Sequence, residues 1–143
     1  MHEQKSPMLP QFPGCFVCGA DNPKGLNLRF DVTSTGSDVR FTAEPTHAGY
    51  SDVVHGGIIS ALLDEAMIWA CYGATGRFGV TAELKIRFRK PVKVGVPCHV
   101  YGEMTDNHSK IWTATARIID EMNMVLADGK GRIFPGNPVN HNA

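Results

Sequence analysis

Leu26-Asn27-Leu28-Arg29-Phe30-Asp31-Val32 alternates apolar and polar side chains, the period of a strand with one buried face. Ser34-Thr35-Gly36-Ser37 supplies a turn, and Val39-Arg40-Phe41-Thr42-Ala43 reads as the return strand. The period then changes. Residues 57–71 run GIISALLDEAMIWAC, without proline and apolar on nearly every face, which predicts a buried helix ended by Gly73 or Gly76. Four strand-like runs follow, at 80–88, 98–105, 110–119 and 125–134; Pro91 stops the first, and Gly129 and Gly131 mark a plausible bulge in the last. Residues 1–25, rich in Pro and Gly and without sustained period, read as an arm. The order ββαββββ, with no internal repeat, predicts an α+β domain in which one helix packs on an antiparallel sheet. The expected organisation is an arm at 1–25, one domain at 26–135 and a tail at 136–143.

Composition narrows the setting. A chain of 143 residues can bury roughly 70% of its unfolded surface around one core. Fourteen basic residues balance fourteen acidic ones, so net charge gives no reason to expect nucleic acid or an anionic membrane as partner. The first ten residues lack an apolar stretch of signal-peptide length, and no apolar run approaches the ~20 residues of a bilayer span. The expectation is a cytoplasmic protein whose four cysteines are reduced thiols.

Two features carry chemistry. Asp64 and Glu65 sit mid-helix among apolar neighbours, where an ionised carboxylate is costly unless it meets a partner, solvent or a task. Either both lie on a narrow solvated stripe, or one faces a working site; at about 100° per residue they cannot both face it. Ahead of the helix, Val53-Val54-His55-Gly56-Gly57 places two glycines where the chain enters it. The unpaired N–H groups of a first helical turn suit an oxygen that is gaining negative charge.

HGGIISALLDEAM (residues 55–67) resembles the signature of the hotdog thioesterase superfamily, in the branch of the phenylacetate-pathway PaaI proteins and one class of 4-hydroxybenzoyl-CoA thioesterase. Cys15-Phe16-Val17-Cys18-Gly19 with Asn22-Pro23 and Gly25-Leu26 is similar to the opening segment of many relatives, and Phe88-Arg89-Lys90-Pro91-Val92 to the end of their first long strand. The resemblance covers residues 15–134. It implies a hotdog fold, one long central helix wrapped by an antiparallel sheet of five to six strands, and an acyl-CoA thioesterase working as a homodimer or dimer of dimers without a cofactor. It implies Asp64 as nucleophile or general base, the Gly56 N–H as donor to the thioester carbonyl with Gly57 beside it, His55 against the same carbonyl or a water, and Thr81 positioning the water or the acid. Asp64 of one subunit would face Gly56 and His55 of the other. A non-catalytic acyl-CoA-binding protein would keep the same fold and cleft. Hotdog dehydratases and hydratases carry a catalytic His ahead of a Pro-Gly lead-in to the helix, which His55-Gly56-Gly57 does not match.

One position departs from the family pattern. Where many relatives carry Asn or Gln a few residues before the histidine, this chain has Gly49, with His47, Tyr50 and Ser51 as candidate substitutes. Lys85, Arg87, Arg89 and Lys90 form a basic cluster that is either a solvated strand face or, through Arg87 and Arg89, a grip on coenzyme A phosphates. Cys15 and Cys18 could be half of a zinc site, but structural zinc normally takes four ligands, and neither Cys71 in the helix nor Cys98 in a strand is an obvious mate. The pair reads as packed reduced thiols, with no metal assigned.

Overall fold

The computed structural model describes residues 9–136, so residues 1–8 of the expected arm and 137–143 of the expected tail lie outside the described residues. The chain forms β1 (Asp31–Thr33), β2 (Gly36–Phe41), α1 (Gly56–Thr75), β3 (Gly79–Phe88), β4 (Cys98–Asp106), β5 (Trp112–Asp120) and β6 (Val125–Pro135). All strand pairs are antiparallel in one sheet ordered β1-β2-β4-β5-β6-β3, with β1 and β3 at its edges. This is the hotdog arrangement that the motif implied, with six strands.

The helix lies against the sheet through Leu62, Leu63 and Met67, which pack with Val100, Ile118 and Ile133 in a core excluded from solvent. Its backbone comes unusually close to the sheet. Ser37 Oγ donates to the Ala66 carbonyl at 2.6 Å, and a Cβ on Gly102 would lie 2.1 Å from that same oxygen. Glycine at 102 is what lets helix and strand meet there. By length and apolar composition α1 could cross a bilayer, contrary to the expectation that no run is long enough; here it is the core helix of the fold.

Three further expectations need correction. Residues 26–30 are not part of the sheet: Asn27 turns left-handed at φ 49°, and Leu26 N–H and Leu28 N–H donate to Phe16 and Val17 carbonyls at 2.7 and 2.8 Å, so this segment ties down the arm. Alternation reports one buried face; it does not report which backbone is the partner. Gly73 does not end the helix. It lies within the helix, where its lack of a side chain lets the Thr33 carbonyl approach (a Cβ there would sit 2.1 Å from that oxygen), and Gly76, at φ 73°, is the left-handed cap. The bulge in the β3–β6 pair is not at Gly129 or Gly131, which pair in unbroken register. It lies in β3, where Thr81 and Glu83 oppose consecutive residues Ile133 and Arg132 and leave Ala82 extra.

Candidate active site

His55 is the N-cap of α1, and its side chain is what organises the first turn. The Gly57 N–H donates to His55 Nδ1 at 2.8 Å, so a neutral imidazole carries its proton on Nε2, facing outward. A Cβ on Gly57 would sit 3.0 Å from that nitrogen, so this glycine makes room for the cap, and its N–H is already engaged. The Gly56 N–H, by contrast, has no hydrogen-bond partner among the described residues. Of the two glycines, Gly56 is therefore the one with a donor to offer.

Gly56 lines a cleft of about 630 Å³ whose walls also include Tyr50, His55, Phe88, Arg89 and Lys90. The Phe88 ring would touch a Cβ placed on Gly56 at 3.4 Å, so it forms the wall beside the amide. Gly49 also lines the cleft, backed by His55, and presents no side chain at the place where the family pattern led us to expect an amide. Of the three substitutes considered, His47 is engaged, its Nδ1 accepting from the Glu44 N–H at 2.9 Å; Ser51 bonds Asp52; Tyr50 is exposed at the cleft. Arg89 reaches the cleft while paired with Asp128. Arg87 does not line it: it sits on the outer face of the sheet, in a cross-strand row with Asp128 and Arg117. Lys90, which sequence reasoning grouped with the cluster but did not single out, is a cleft residue.

Asp64 is half-buried and faces β3, where Thr81 Oγ1 donates to its Oδ1 at 2.6 Å. The bulge at Ala82 makes this contact possible. Strand side chains alternate, so in an unbroken strand Thr81 would point away from Leu84 and Ile86, with Glu83 and Lys85. One extra residue reverses the parity, and Thr81 turns inward above Ile133 to reach the helix. Asp64 and Gly56 belong to the same helix but are eight residues apart, about 12 Å along the axis at 1.5 Å per residue. Within one chain the carboxylate and the free amide cannot serve the same carbonyl.

Glu65 faces the opposite flank. Its Oε1 accepts from Trp69 Nε1 at 3.1 Å and lies 3.5 Å from Cys15 Sγ in the arm. Both helix acids are thus partnered, and the solvated-stripe alternative does not hold for either. The arm is a tight knuckle here: Cys18 N–H donates to Cys15 Sγ at 3.3 Å, and Gly19 N–H to the Cys15 carbonyl at 2.9 Å. Burial, then the Cys15 thiol and the Glu65 charge, push the Cys18 thiol far up its scale. Cys71 and Cys98 are raised by burial alone, to about 12 and about 11. Sequence reasoning had no signal for the Cys15–Glu65 contact, which joins positions 50 residues apart.

Residues 52–127, more than half of the chain, match the family described as the thioesterase superfamily. The chain belongs to that superfamily. Among solved structures, one thioesterase superfamily protein is 20% identical with a TM-score of 0.78, over 85% of this chain and 60% of that one, so the chain spans less than two thirds of that protein's length. A hypothetical thioesterase from Streptococcus pneumoniae TIGR4, solved with coenzyme A, is 17% identical over 78% of this chain and 90% of its own, with a TM-score of 0.72. The E. coli PaaI protein from the phenylacetic acid degradation operon is 19% identical over 76% and 83%, with a TM-score of 0.70. At these identities the structures share the fold. Among curated proteins, a sequence search finds no match.

Proposed function

We propose that this superfamily member hydrolyses acyl-CoA thioesters to a free acid and coenzyme A, at a site assembled from two copies of the chain. The observation that carries the reading is the Asp64 carboxylate fixed by the Thr81 hydroxyl at 2.6 Å, on the same helix as a Gly56 N–H that has no partner among the described residues, but about 12 Å from it. A second copy, placed antiparallel, brings one chain's Asp64 to the other's Gly56 and His55. The edge strand β3 with exposed Val80 and Phe88, and the half-buried apolar side chains Ile58, Ala61 and Ile68 of α1, suit that contact.

In this site the thioester oxygen takes the Gly56 N–H, and the negative charge that develops on it falls at the positive end of the helix. His55, holding its proton on Nε2, donates to the same oxygen or orients water. Asp64 then acts in one of two ways. It accepts a proton from a water that attacks the carbonyl carbon, or it attacks that carbon itself and forms a mixed anhydride that water opens. In both, the C–S bond breaks, the sulfur leaves as a thiolate and takes up a proton from solvent. Neither route needs a cofactor beyond the coenzyme A of the substrate. Arg89 and Lys90, which line the cleft, supply positive charge for its phosphates. The S. pneumoniae neighbour solved with coenzyme A supports that ligand class.

Release of free coenzyme A from phenylacetyl-, hydroxybenzoyl-, short- and medium-chain acyl-CoAs tests the reading, comparing the wild type with Asp64→Asn. Turnover that collapses in the variant supports it. Gly49 favours one other reading, a binder that holds acyl-CoA without cleaving it, since the cleft lacks the amide side chain of relatives at that place. Tight binding of a non-hydrolysable thioether analogue by a wild type that releases no coenzyme A would select the binder.

A further inference from the structure

We propose that Cys15, Cys18 and Glu65 form a site for one zinc-class, thiophilic divalent cation that fastens the N-terminal arm to α1. The two thiols and the carboxylate offer one ligand atom each, and these atoms all lie within 4.8 Å of one another. Zinc binds sulfur at about 2.3 Å and carboxylate oxygen at about 2.0–2.2 Å, so neighbouring ligands of a tetrahedral ion stand roughly 3.4–3.8 Å apart. Cys15 Sγ and Glu65 Oε1 are 3.5 Å apart. The third ligand that the Cys-x-x-Cys spacing lacks in the sequence is therefore supplied by the helix.

The surroundings are built as a metal site's are. The Cys18 N–H already points at Cys15 Sγ at 3.3 Å, and a backbone amide aimed at sulfur favours the thiolate that a cation requires. The knuckle that sets both sulfurs on one side depends on Gly19, where a Cβ would lie 2.4 Å from the Pro13 carbonyl. Trp69 Nε1 donates to Glu65 at 3.1 Å, an outer contact that orients a ligating carboxylate. What the cluster lacks is positive charge. Among the described residues Glu65 makes no ion pair with any Lys, Arg or His, although it is half-buried. Two thiolates and a carboxylate carry three negative charges, and a divalent ion cancels two of them. Thiolate ligands select zinc-like ions over magnesium or calcium. All three residues are partly solvent-accessible, which leaves an approach for the ion and a water as fourth ligand.

The test uses the full chain, reduced and stripped of metal by a chelator, and then titrated with Co²⁺ as a spectroscopic probe and Zn²⁺ in competition with a chromophoric chelator. We expect one equivalent bound per chain, Co²⁺ absorption with thiolate charge-transfer bands, and protection of Cys15 and Cys18 from alkylation by zinc. Cys71 and Cys98, fully buried, serve as unreactive internal controls. Glu65→Gln is expected to weaken zinc binding at least tenfold, and Cys15→Ser with Cys18→Ser to abolish it. Absence of the charge-transfer bands in the wild type overturns the proposal, and so does unchanged zinc affinity in Glu65→Gln. Ready formation of a Cys15–Cys18 disulfide in air while excess zinc is present also overturns it, in favour of a redox pair. The wild-type spectrum and alkylation decide the matter even where a variant does not fold. None of these readouts depends on thioesterase turnover.

Discussion

Asp64 and Glu65 are consecutive carboxylates on one helix, and the two flanks they face give them different partners. On the β3 flank, Asp64 meets a single hydroxyl, Thr81, and its other oxygen is without a partner among the described residues. On the arm flank, Glu65 meets an indole N–H and two thiols crowded into a knuckle. A carboxylate with one oxygen fixed and the other open is arranged to act on something that arrives and leaves. A carboxylate whose neighbours are two thiols suits the metal site proposed above, which would hold something in place. The residue type is nearly the same; what decides the role is the element across from it.

The largest effect should come from breaking the first flank at its acid. Asp64→Asn keeps the shape and the Thr81 contact but removes the carboxylate proposed as base or nucleophile. Coenzyme A release is expected to fall about 10²- to 10⁴-fold, while zinc affinity at the other flank stays at the wild-type value. A variant that turns over at the wild-type rate would remove Asp64 from the chemistry. One that loses both properties would mean the two flanks are not separable.

Next in size is a change that disturbs both flanks together. Gly102→Ala would place a Cβ 2.1 Å from the Ala66 carbonyl, one residue past Glu65 on the helix, and backbone on both sides leaves little room to yield. Overpacking of this kind costs about 3 kcal/mol, to be read from urea denaturation. Stability close to wild type would show that α1 can lift off β4, and then the position of Asp64 opposite Thr81 would not be fixed by the sheet.

The parts of this comparison differ in how far they could be read from sequence. The long helix, the HGG lead-in and the succession of strands along the chain were legible because each is a local pattern: an apolar run without proline, paired glycines before it, and runs set off by turn residues. Asp64 and Thr81 were paired only through family resemblance. Local parity would have pointed Thr81 the wrong way, because the extra residue at Ala82 arises from how β3 registers on β6 and leaves no mark in composition. The same limit hid Glu65's partner. Its contact with Cys15 requires the arm to fold back across the helix, held by Leu26 and Leu28 bonding to Phe16 and Val17, and that segment reads in isolation as an ordinary sheet strand. Gly129 and Gly131 misled for a related reason: Met67 and Ile86 pack over them, so their missing side chains serve packing across the sheet, with no break in the ladder.

Thr81→Val sharpens the first flank at lower amplitude. Valine keeps the branched shape but leaves Asp64 Oδ1 without its donor, and a hydrogen bond to a charged group is worth about 1.5–3 kcal/mol. Turnover is expected to drop roughly 10- to 100-fold, with kcat falling more than KM rises if the hydroxyl positions the acid. A rise in KM alone would make Thr81 a substrate contact instead.

Trp69→Phe gives the smallest effect and probes the second flank in the same way. The ring would still pack edge-on against Phe78 and Tyr72, which lie 5.2 and 5.9 Å from it in the native arrangement, so stability should change little. The lost group is the indole N–H that orients Glu65. Outer contacts of this kind typically change metal affinity by about 10- to 100-fold, and with the two thiols retained the lower figure is expected in chelator competition. Full wild-type affinity would mean that the Cys-x-x-Cys knuckle alone positions the ion and that Glu65 needs no support. A tenfold loss would make the two flanks formally alike, each a carboxylate whose usefulness depends on one hydrogen-bond donor from a neighbouring side chain.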